Sequence, residues 1–271
     1  MVKKIPASAN FDESLLPLGK MRLILPEAKK AYAEAEPFPH IYFDDFFDDN
    51  VVERVLKEFP GENDINWVKY FDGHQKKLAN ENEQNIGLFS RYFLYSLNSS
   101  SFLKFLEELT GITNLISDPS FRGGGLHSIY RGGKLGVHAD FNKHERYGLD
   151  RRLNLLLYLN KEWCEEYGGH IELWDRKVKE CVRSYLPKFN RVVIFTTTSA
   201  SFHGHPEPLR CPEHMNRKSM ALYYYTNGRP EEEIEESHST VFKLRPDEKA
   251  EGKLMLKAKK NFRRWSKLFN K

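Results

Sequence analysis

The sequence predicts a mainly β fold with additional helices, centred on an antiparallel sandwich, barrel or jelly roll. Two observations carry this prediction. Short apolar segments recur between about residues 121 and 228, and Gly- and Pro-rich turns separate them with few helical segments in between. The candidate strands, in chain order, are residues 126–130, 135–139, 152–159, 170–174, 191–197 and 219–226.

Helical segments flank this β region. We expect an N-terminal arm over residues 1–39 that contains some helix, followed by a single domain over residues 40–246. Within that domain the polar stretch 72–85 predicts an exposed loop. Residues 247–271 predict a basic amphipathic C-terminal helix, because apolar and aromatic side chains recur there at helical spacing among Lys and Arg.

The composition fits a globular protein and disfavours several functional classes. Of the 271 residues 40% are hydrophobic, and the net charge of +4 gives no strong reason to expect a nucleic-acid partner. The three cysteines form no C-x-x-C pair, and no apolar run approaches the roughly 20 residues that span a bilayer. We therefore expect a cytoplasmic protein without a transmembrane segment, whose basic tail packs against the domain.

An H-x-D triplet, His138-Ala139-Asp140, and a distant His203 form the candidate metal site. Two imidazoles and one carboxylate can occupy one face of an octahedral metal and leave the opposite positions open, as in non-haem Fe(II) oxygenases. Two H-x-E triplets, which begin at His170 and His205, are alternatives. The context favours His138, because it ends a short strand after a Gly-rich turn.

Arg217 adds a feature that a bare metal site lacks. Its planar guanidinium can bind a distal carboxylate with two hydrogen bonds. Ser219 follows on the same strand, and the two-residue period places its hydroxyl on the same side. Together with the three candidate ligands, these residues imply a metal, an acidic cosubstrate and oxygen chemistry.

The candidate strand 152–159 has two different faces. Leucine occupies every second position from 153 to 159, which predicts a face buried in the core. The other face is mixed and consists of Arg152, Asn154, Leu156 and Tyr158. Such a face suits the lining of a polar cavity, although a solvated face would have the same composition.

Several motifs in a fixed order then carry a family resemblance over roughly residues 121–228. They are Tyr130-x-x-Gly133 ahead of His138-x-Asp140, a strand ending in Tyr158-Leu159-Asn160 before Trp163, Gly168-Gly169 before the next strand, Phe189-Asn190-Arg191 before a strand ending in Phe195, and Arg217-x-Ser219 after His203. The chain resembles the Fe(II)- and 2-oxoglutarate-dependent oxygenases, specifically the catalytic domains similar to prolyl 4-hydroxylase.

The resemblance implies a double-stranded β-helix in which His138, Asp140 and His203 hold Fe(II). It implies that Arg217 pairs with the far carboxylate of 2-oxoglutarate, helped by the hydroxyls of Ser219 and of either Tyr158 or Tyr130. Some prolyl hydroxylases use lysine in place of this arginine.

The reaction implied by the resemblance consumes O2 and releases succinate and CO2 as a C–H bond is hydroxylated. Asp140 favours hydroxylation over halogenation, because related halogenases lack this carboxylate. Desaturation or ring closure stays open as an alternative outcome.

For the substrate, we expect a small-molecule or amino-acid-like compound. Arg152 and Asn154 on the mixed face, and Arg122 and Arg131 near the mouth of the cavity, are the candidate substrate contacts. The alternative is a prolyl or other residue hydroxylase that acts on a protein or peptide. A non-catalytic jelly-roll module with a structural metal would explain the histidines and Asp140, but it gives no reason for Arg217 and Ser219.

Overall fold

The computed structural model describes residues 15–249. The α-helices are α1 (Leu18–Ala33), α2 (Asp49–Lys57), α3 (Leu88–Leu97) and α4 (Ser100–Thr110), and the short 3-10 helices are Glu83–Asn85, Glu165–Tyr167 and Glu231–Glu233. The strands are β1 (His40–Phe43), β2 (Val68–Phe71), β3 (Gln75–Asn80), β4 (Ile116–Ser117), β5 (Gly125–Tyr130), β6 (Lys134–Ala139), β7 (Asp150–Tyr158), β8 (Ile171–Trp174), β9 (Cys181–Tyr185), β10 (Arg191–Thr196), β11 (His203–His205), β12 (Asn216–Thr226) and β13 (Val241–Phe242).

The strands form one antiparallel sheet that folds back on itself. The order is β1-β10-β7-β12-β5-β3-β6-β11-β8-β9, with β2 on β3, β4 on β12 and β13 on β6. The half that contains β6, β11 and β8 lies opposite the half that contains β7 and β12. A hydrogen bond joins the two halves, from Asn154 on β7 to Asp140, which follows β6. The jelly-roll fold predicted from the sequence is confirmed, and the cavity lies between the two halves.

The helices cover the outer face of the β10, β7, β12 and β5 half. Leu153, Leu155, Leu157 and Leu159 are buried there in the main core, as their alternation predicts, together with aromatic residues of α3 and α4. Each such leucine contributes about 1.5–3 kcal/mol through the apolar surface that it removes from water. The opposite face of β7 is thereby directed into the cavity.

The N-terminal arm is packed into this same core over its described part. Met21, Ala28 and Tyr32 of α1 are buried, and the Tyr32 hydroxyl lies 2.6 Å from the Thr196 hydroxyl on β10. The predicted C-terminal helix lies outside the described residues from position 250 onward. Within residues 15–249, no helix has both the length and the apolar character that crossing a bilayer requires.

The predicted loop at residues 72–85 is wrong, because strand β3 occupies its centre. The composition of β3, QKKLAN, does not predict a strand, because Lys and Asn have low β-propensity. The strand forms nevertheless, because its backbone pairs with both β5 and β6. Ala79 lies opposite His127 in β5, so that Ala79 and Lys77 belong to the face of β3 that is turned to the cavity. The strand therefore closes one side of the site.

A β-bulge changes the faces of β7 near its start. Its register with β12 runs regularly up to the pair Leu153–Tyr224, and the next pair is Arg151–Tyr225, so Arg152 has no partner of its own. As a result Arg151, rather than Arg152, continues the cavity face of Asn154 and Tyr158. Arg152 instead donates hydrogen bonds to Thr226 and Glu233.

The carboxylate of Glu58, the residue that follows α2, caps the start of α3. Glu58 accepts hydrogen bonds from the backbone N–H groups of Phe89 (3.2 Å) and Ser90 (2.8 Å) and from the Ser90 hydroxyl (2.8 Å). Gly87 precedes the helix, and a Cβ there would come within 2.4 Å of this carboxylate. The absence of a side chain thus lets Glu58 satisfy amides that the helix itself cannot pair.

We predict that Glu58→Ala lowers the free energy of unfolding by about 1–2 kcal/mol, because two helix N–H groups and a hydroxyl lose their acceptor. Urea unfolding followed by circular dichroism measures the change. Glu108→Ala, on the exposed side of α4, is the control and should stay within about 0.5 kcal/mol of the parent. Equal stability of the two variants would contradict the capping role.

Candidate active site

Three side chains with metal-ligand atoms meet at the centre of the cavity. The ligand atoms of His138, Asp140 and His203 all lie within 4.8 Å of one another, the only such group among residues 15–249. The Nε2 atom of His138 is 3.6 Å from one Asp140 oxygen, and that of His203 is 3.4 Å from the other. The strand pairing produces this arrangement, because His203 on β11 lies directly opposite His138 on β6.

Both imidazoles are held by a hydrogen bond on the ring atom that faces away from the centre. His138 Nδ1 lies 2.9 Å from the carbonyl oxygen of Gly136, and His203 Nδ1 lies 2.9 Å from that of Ser201. A carbonyl accepts only, so Nδ1 carries the proton and the Nε2 lone pair points to the centre. This is the arrangement of a metal-binding histidine.

Asp140 is fixed by donors from the opposite half of the sheet. One of its oxygens accepts hydrogen bonds from Asn154 Nδ2 (2.7 Å) and from Arg151 Nη2 (3.0 Å). Burial opposes ionisation of this carboxyl, but the Arg151 guanidinium holds the pKa of Asp140 well below its usual value. The carboxylate is therefore ionised and oriented, which suits a hard or borderline metal cation.

Arg151 is the functional residue that the sequence analysis missed. Its guanidinium is 1% exposed and lies over the rings of Tyr223 (3.4 Å) and Phe141 (4.4 Å). It also donates two hydrogen bonds to the Asn154 side-chain oxygen. Strict alternation along the strand had pointed to Arg152, so only the bulge reveals which of the two adjacent arginines enters the cavity.

Arg217 lies deeper in the barrel and carries a charge without a carboxylate partner among residues 15–249. Its Nε donates to the carbonyl oxygen of Gly169 (2.7 Å), and its Nη2 donates to the Tyr158 hydroxyl (3.2 Å). Burial lowers the pKa of Arg217, and Tyr158 opposes this shift. Gly169 permits the close approach, since a Cβ there would lie 3.0 Å from the arginine side chain.

The strand register brings Ser219 and Tyr158 beside this arginine. Ser219 lies opposite Tyr158 in β7 and opposite His127 in β5, so the three side chains share the cavity face. Ser219 and Tyr158 are buried, and His127 is partly buried. The structure thus assembles Arg217, Ser219 and Tyr158, the group for which the resemblance implied binding of a distal carboxylate.

His205 is a further buried polar side chain near Arg217. It is 3% exposed, and neither ring nitrogen has a hydrogen-bond partner among the described residues. Burial and the nearby charges of Arg217 and Lys77 hold the pKa of His205 well below its usual value, so the ring is neutral. An unsatisfied buried donor is costly, and a ligand in the cavity would relieve that cost.

The remaining sequence candidates do not all join the site. Tyr130 packs on the opposite side of β5 against the main core, and Arg152 is engaged with Glu233. Arg131 donates to the carbonyl oxygens of Arg210 and Cys211. Arg122 does line the mouth of the cleft, where it pairs with Glu81 and Glu145.

A cleft of about 520 Å³ leads from the surface to His138 and Asp140, two of the three candidate ligands. Its walls come from the β2–β3 hairpin, from the segment after β6 and from the segment 237–242. The residues that bear on its chemistry are Tyr70, Lys77, His138, Asp140, Arg151 and Phe242. Its volume lies within the range that is usual for ligand-binding clefts.

Comparison with known proteins agrees with this geometry. Residues 124–225 match the sequence model of the 2OG-Fe(II) oxygenase superfamily. A stretch of 79 residues is 33% identical to the prolyl 3-hydroxylase OGFOD1 of Mus musculus, and this match covers 28% of the chain and 14% of that protein. The chain therefore matches only about a seventh of that relative's length.

Solved structures share the fold at low sequence identity. A prolyl hydroxylase of Trichoplax adhaerens, in complex with a hypoxia inducible factor peptide fragment, aligns with a TM-score of 0.52 and 17% identity over 77% of this chain and 91% of that one. A prolyl-4-hydroxylase of Pseudomonas putida aligns with a TM-score of 0.52 and 14% identity over 75% of this chain and all of that one (100%). A prolyl 4-hydroxylase of Phytophthora capsici aligns with a TM-score of 0.51 and 18% identity over 82% of this chain and 70% of that one.

The resemblance inferred from the sequence is thus confirmed. Fe(II), 2-oxoglutarate and O2 are the metal and cosubstrates of the matched superfamily. Residues 124–225, the part of the chain that builds the site, thus match the 2OG-Fe(II) oxygenase superfamily, and the described residues share the fold of the prolyl hydroxylases.

Proposed function

We propose that the protein is a hydroxylase in which His138, Asp140 and His203 hold Fe(II) and Arg217 binds the distal carboxylate of 2-oxoglutarate. One observation carries this proposal. Arg217 is 5% exposed and has no carboxylate partner among residues 15–249, although it shares a cavity with a complete facial triad. A buried and unpaired cation is costly, and the carboxylate of an acidic cosubstrate would compensate it.

The residues present fit the metal and the oxoacid. The triad offers two Nε2 lone pairs and an ionised carboxylate on one side of a centre, and the neutral His205 imidazole offers a free donor to the cosubstrate. When bound, Fe(II) and 2-oxoglutarate supply the oxidising chemistry, in which O2 is consumed, succinate and CO2 are released and a C–H bond of the substrate is hydroxylated.

The protein's own side chains orient the candidate ligands. The Phe195 ring packs edge-on against His203 at 4.7 Å, and the Phe242 ring lies 5.4 Å from that of His138. These apolar contacts restrict each imidazole to one orientation. Arg151 and Asn154 do the same for Asp140, so the ligand geometry is set before any metal arrives.

For the substrate we propose a prolyl or other residue of a polypeptide, which was the alternative in the sequence analysis. The relative that matches by sequence and the proteins that share the fold are named as prolyl hydroxylases. The initial preference for a small molecule finds no comparable support. The structure is compatible with a polymer, because the wall of the cleft is a sheet edge.

That edge is strand β2, which pairs only with β3 among the described strands. Its side chains Val68, Tyr70 and Phe71 are exposed by 49%, 38% and 60%. An extended peptide can add to such an edge through backbone hydrogen bonds and place a side chain in the adjoining cleft. Tyr70 connects the two surfaces, since it also lines the cleft.

We predict that anaerobic addition of Fe(II) and 2-oxoglutarate gives a visible metal-to-ligand charge-transfer band. Arg217→Met should weaken binding of the oxoacid, measured from this band, by about 30-fold or more, because a buried charge pair loses one partner. Lys218→Met is the matched control, since its side chain points to the other face of β12. Unchanged affinity in Arg217→Met would contradict the assignment.

We further predict that Arg151→Met lowers the affinity of the site for Co(II) by about 10- to 100-fold, the usual effect of removing a partner of a metal ligand. The visible absorption of bound Co(II) reports the titration. Arg152→Met removes the adjacent guanidinium, which contacts Glu233 instead of Asp140, and should leave the affinity within about twofold. Equal losses in both variants would refute the positioning role of Arg151.

The substrate proposal predicts that proline-containing peptides stimulate succinate release from 2-oxoglutarate and gain 16 mass units, whereas free proline and other free amino acids do not. The physical reason is that a free amino acid cannot use the edge of β2. Mass spectrometry and succinate quantification measure the two products. Stimulation by a free amino acid, with none by peptides, would return the assignment to a small-molecule substrate.

A further inference from the structure

The cleft contains a lysine ammonium that no described carboxylate pairs. Lys77 projects from β3, lies opposite Tyr70 in β2 and has its Nζ 5.2 Å from the centre of the Tyr70 ring. It lines the cleft together with Asp140 and Arg151. Within residues 15–249, its Nζ makes neither a hydrogen bond nor an ion pair, and it lies over the Tyr70 ring.

The other cations of the cleft are all paired. Arg122 binds Glu81 at 3.0 Å and Glu145 at 2.8 Å. Lys143 binds Asp150 at 2.9 Å. Arg151 binds Asp140 at 3.0 Å. Lys77 thus differs from its neighbours in having an open position rather than an internal counter-ion.

Asp140 cannot serve as the partner of Lys77. One of its oxygens already accepts from Asn154 and Arg151, and both face the imidazole nitrogens at the centre. Burial lowers the pKa of Lys77 to about 8, with Asp140 raising it and Arg151 and Arg217 lowering it. The ammonium is therefore still largely protonated at neutral pH, in a place where a bare charge is costly.

The proposed metal and cosubstrate do not remove this excess of positive charge. With both groups bound, the positive charges of Fe(II), Arg151, Arg217 and Lys77 would exceed the negative charges of 2-oxoglutarate and Asp140 by two. Arg217 is the group placed to meet the distal carboxylate, deeper in the barrel than the open cleft that Lys77 lines. Lys77 remains on the substrate side with its charge uncompensated.

We propose that Lys77 binds an anionic group of the substrate, namely the carboxylate of an acidic side chain next to the residue that is oxidised. The inference rests on the proposed function, whose polypeptide substrate it specifies further. Tyr70 covers one side of the ammonium, which leaves the side toward the cleft open to a carboxylate. A charge-assisted hydrogen bond there would fix the register of the peptide in the cleft.

The test uses a degenerate peptide library with a fixed central proline. The library is incubated without oxygen with the Fe(II)- and 2-oxoglutarate-loaded protein, and the bound pool is sequenced by mass spectrometry. We expect Asp and Glu to be enriched about tenfold at one position close to the proline, as a hydrogen bond to a charged group provides.

Variants of adjacent lysines provide the control. Lys77→Met should abolish the acidic enrichment and Lys77→Arg should retain it. Lys76→Met removes the same charge from the exposed face of β3 and should leave the enrichment unchanged. Thermal unfolding verifies that all three variants are folded, and the charge-transfer band verifies that each binds Fe(II) and 2-oxoglutarate.

Three results would overturn the inference. Bound peptides without acidic bias, or a bias that survives in Lys77→Met, would show that the lysine does not select the substrate. A loss of 2-oxoglutarate affinity in Lys77→Met would assign the lysine to the cosubstrate instead. Failure of every peptide to bind would overturn the polypeptide substrate itself, whereas the charge-transfer band tests the oxygenase function separately.

Discussion

The hydrogen bonds between Asp140 and the pair Arg151 and Asn154 are the interaction on which the site depends. Asp140 follows β6 in one half of the folded sheet, and its two partners belong to β7 in the other half. The carboxylate therefore reaches the imidazoles of His138 and His203 only because the sheet closes. The same contact fixes its ionisation and its direction, so the fold and the candidate metal site are coupled.

Closure of the sheet also creates an interior with unusual electrostatics. Arg217 and Lys77 bring positive charge inside with no described carboxylate to pair them, and burial lowers the pKa of His127 to about 3, so that this imidazole stays neutral. Apolar packing on the outer face of β7 offsets the cost of desolvating these groups. An interior of this kind is complementary to acidic ligands rather than to apolar ones.

The candidate ligands are predictable from the sequence because their spacing does not depend on register. An H-x-D triplet places two side chains on one face of a strand end wherever the strand lies. Arg217 and Ser219 follow the same logic, and Tyr158 was placed in the cavity by the leucines that alternate with it. The structure brings all of these together. The prediction that Tyr130 could face the cavity is wrong. The motif fixes the sequence distance between Tyr130 and His138, but it does not fix the face of β5 on which the ring lies.

The positions that sequence reasoning missed are those that a bulge or a strand pairing decides. One unpaired residue in β7 exchanges the roles of Arg151 and Arg152, and no local preference of the chain encodes it. The polar strand β3 forms because β5 and β6 supply its hydrogen bonds. Its composition alone predicts an exposed loop, and that prediction placed Lys77 outside the site.

The sequence by itself determined the fold class, the candidate metal ligands and Arg217 as the candidate cation for an oxoacid, since periodicity and motif spacing are local properties of the chain. Only the tertiary structure decided which arginine holds Asp140, which tyrosine faces the cavity and which lysine lines the cleft. These choices depend on the register between strands that are distant in sequence. A shift of one residue turns a side chain to the opposite face of the sheet.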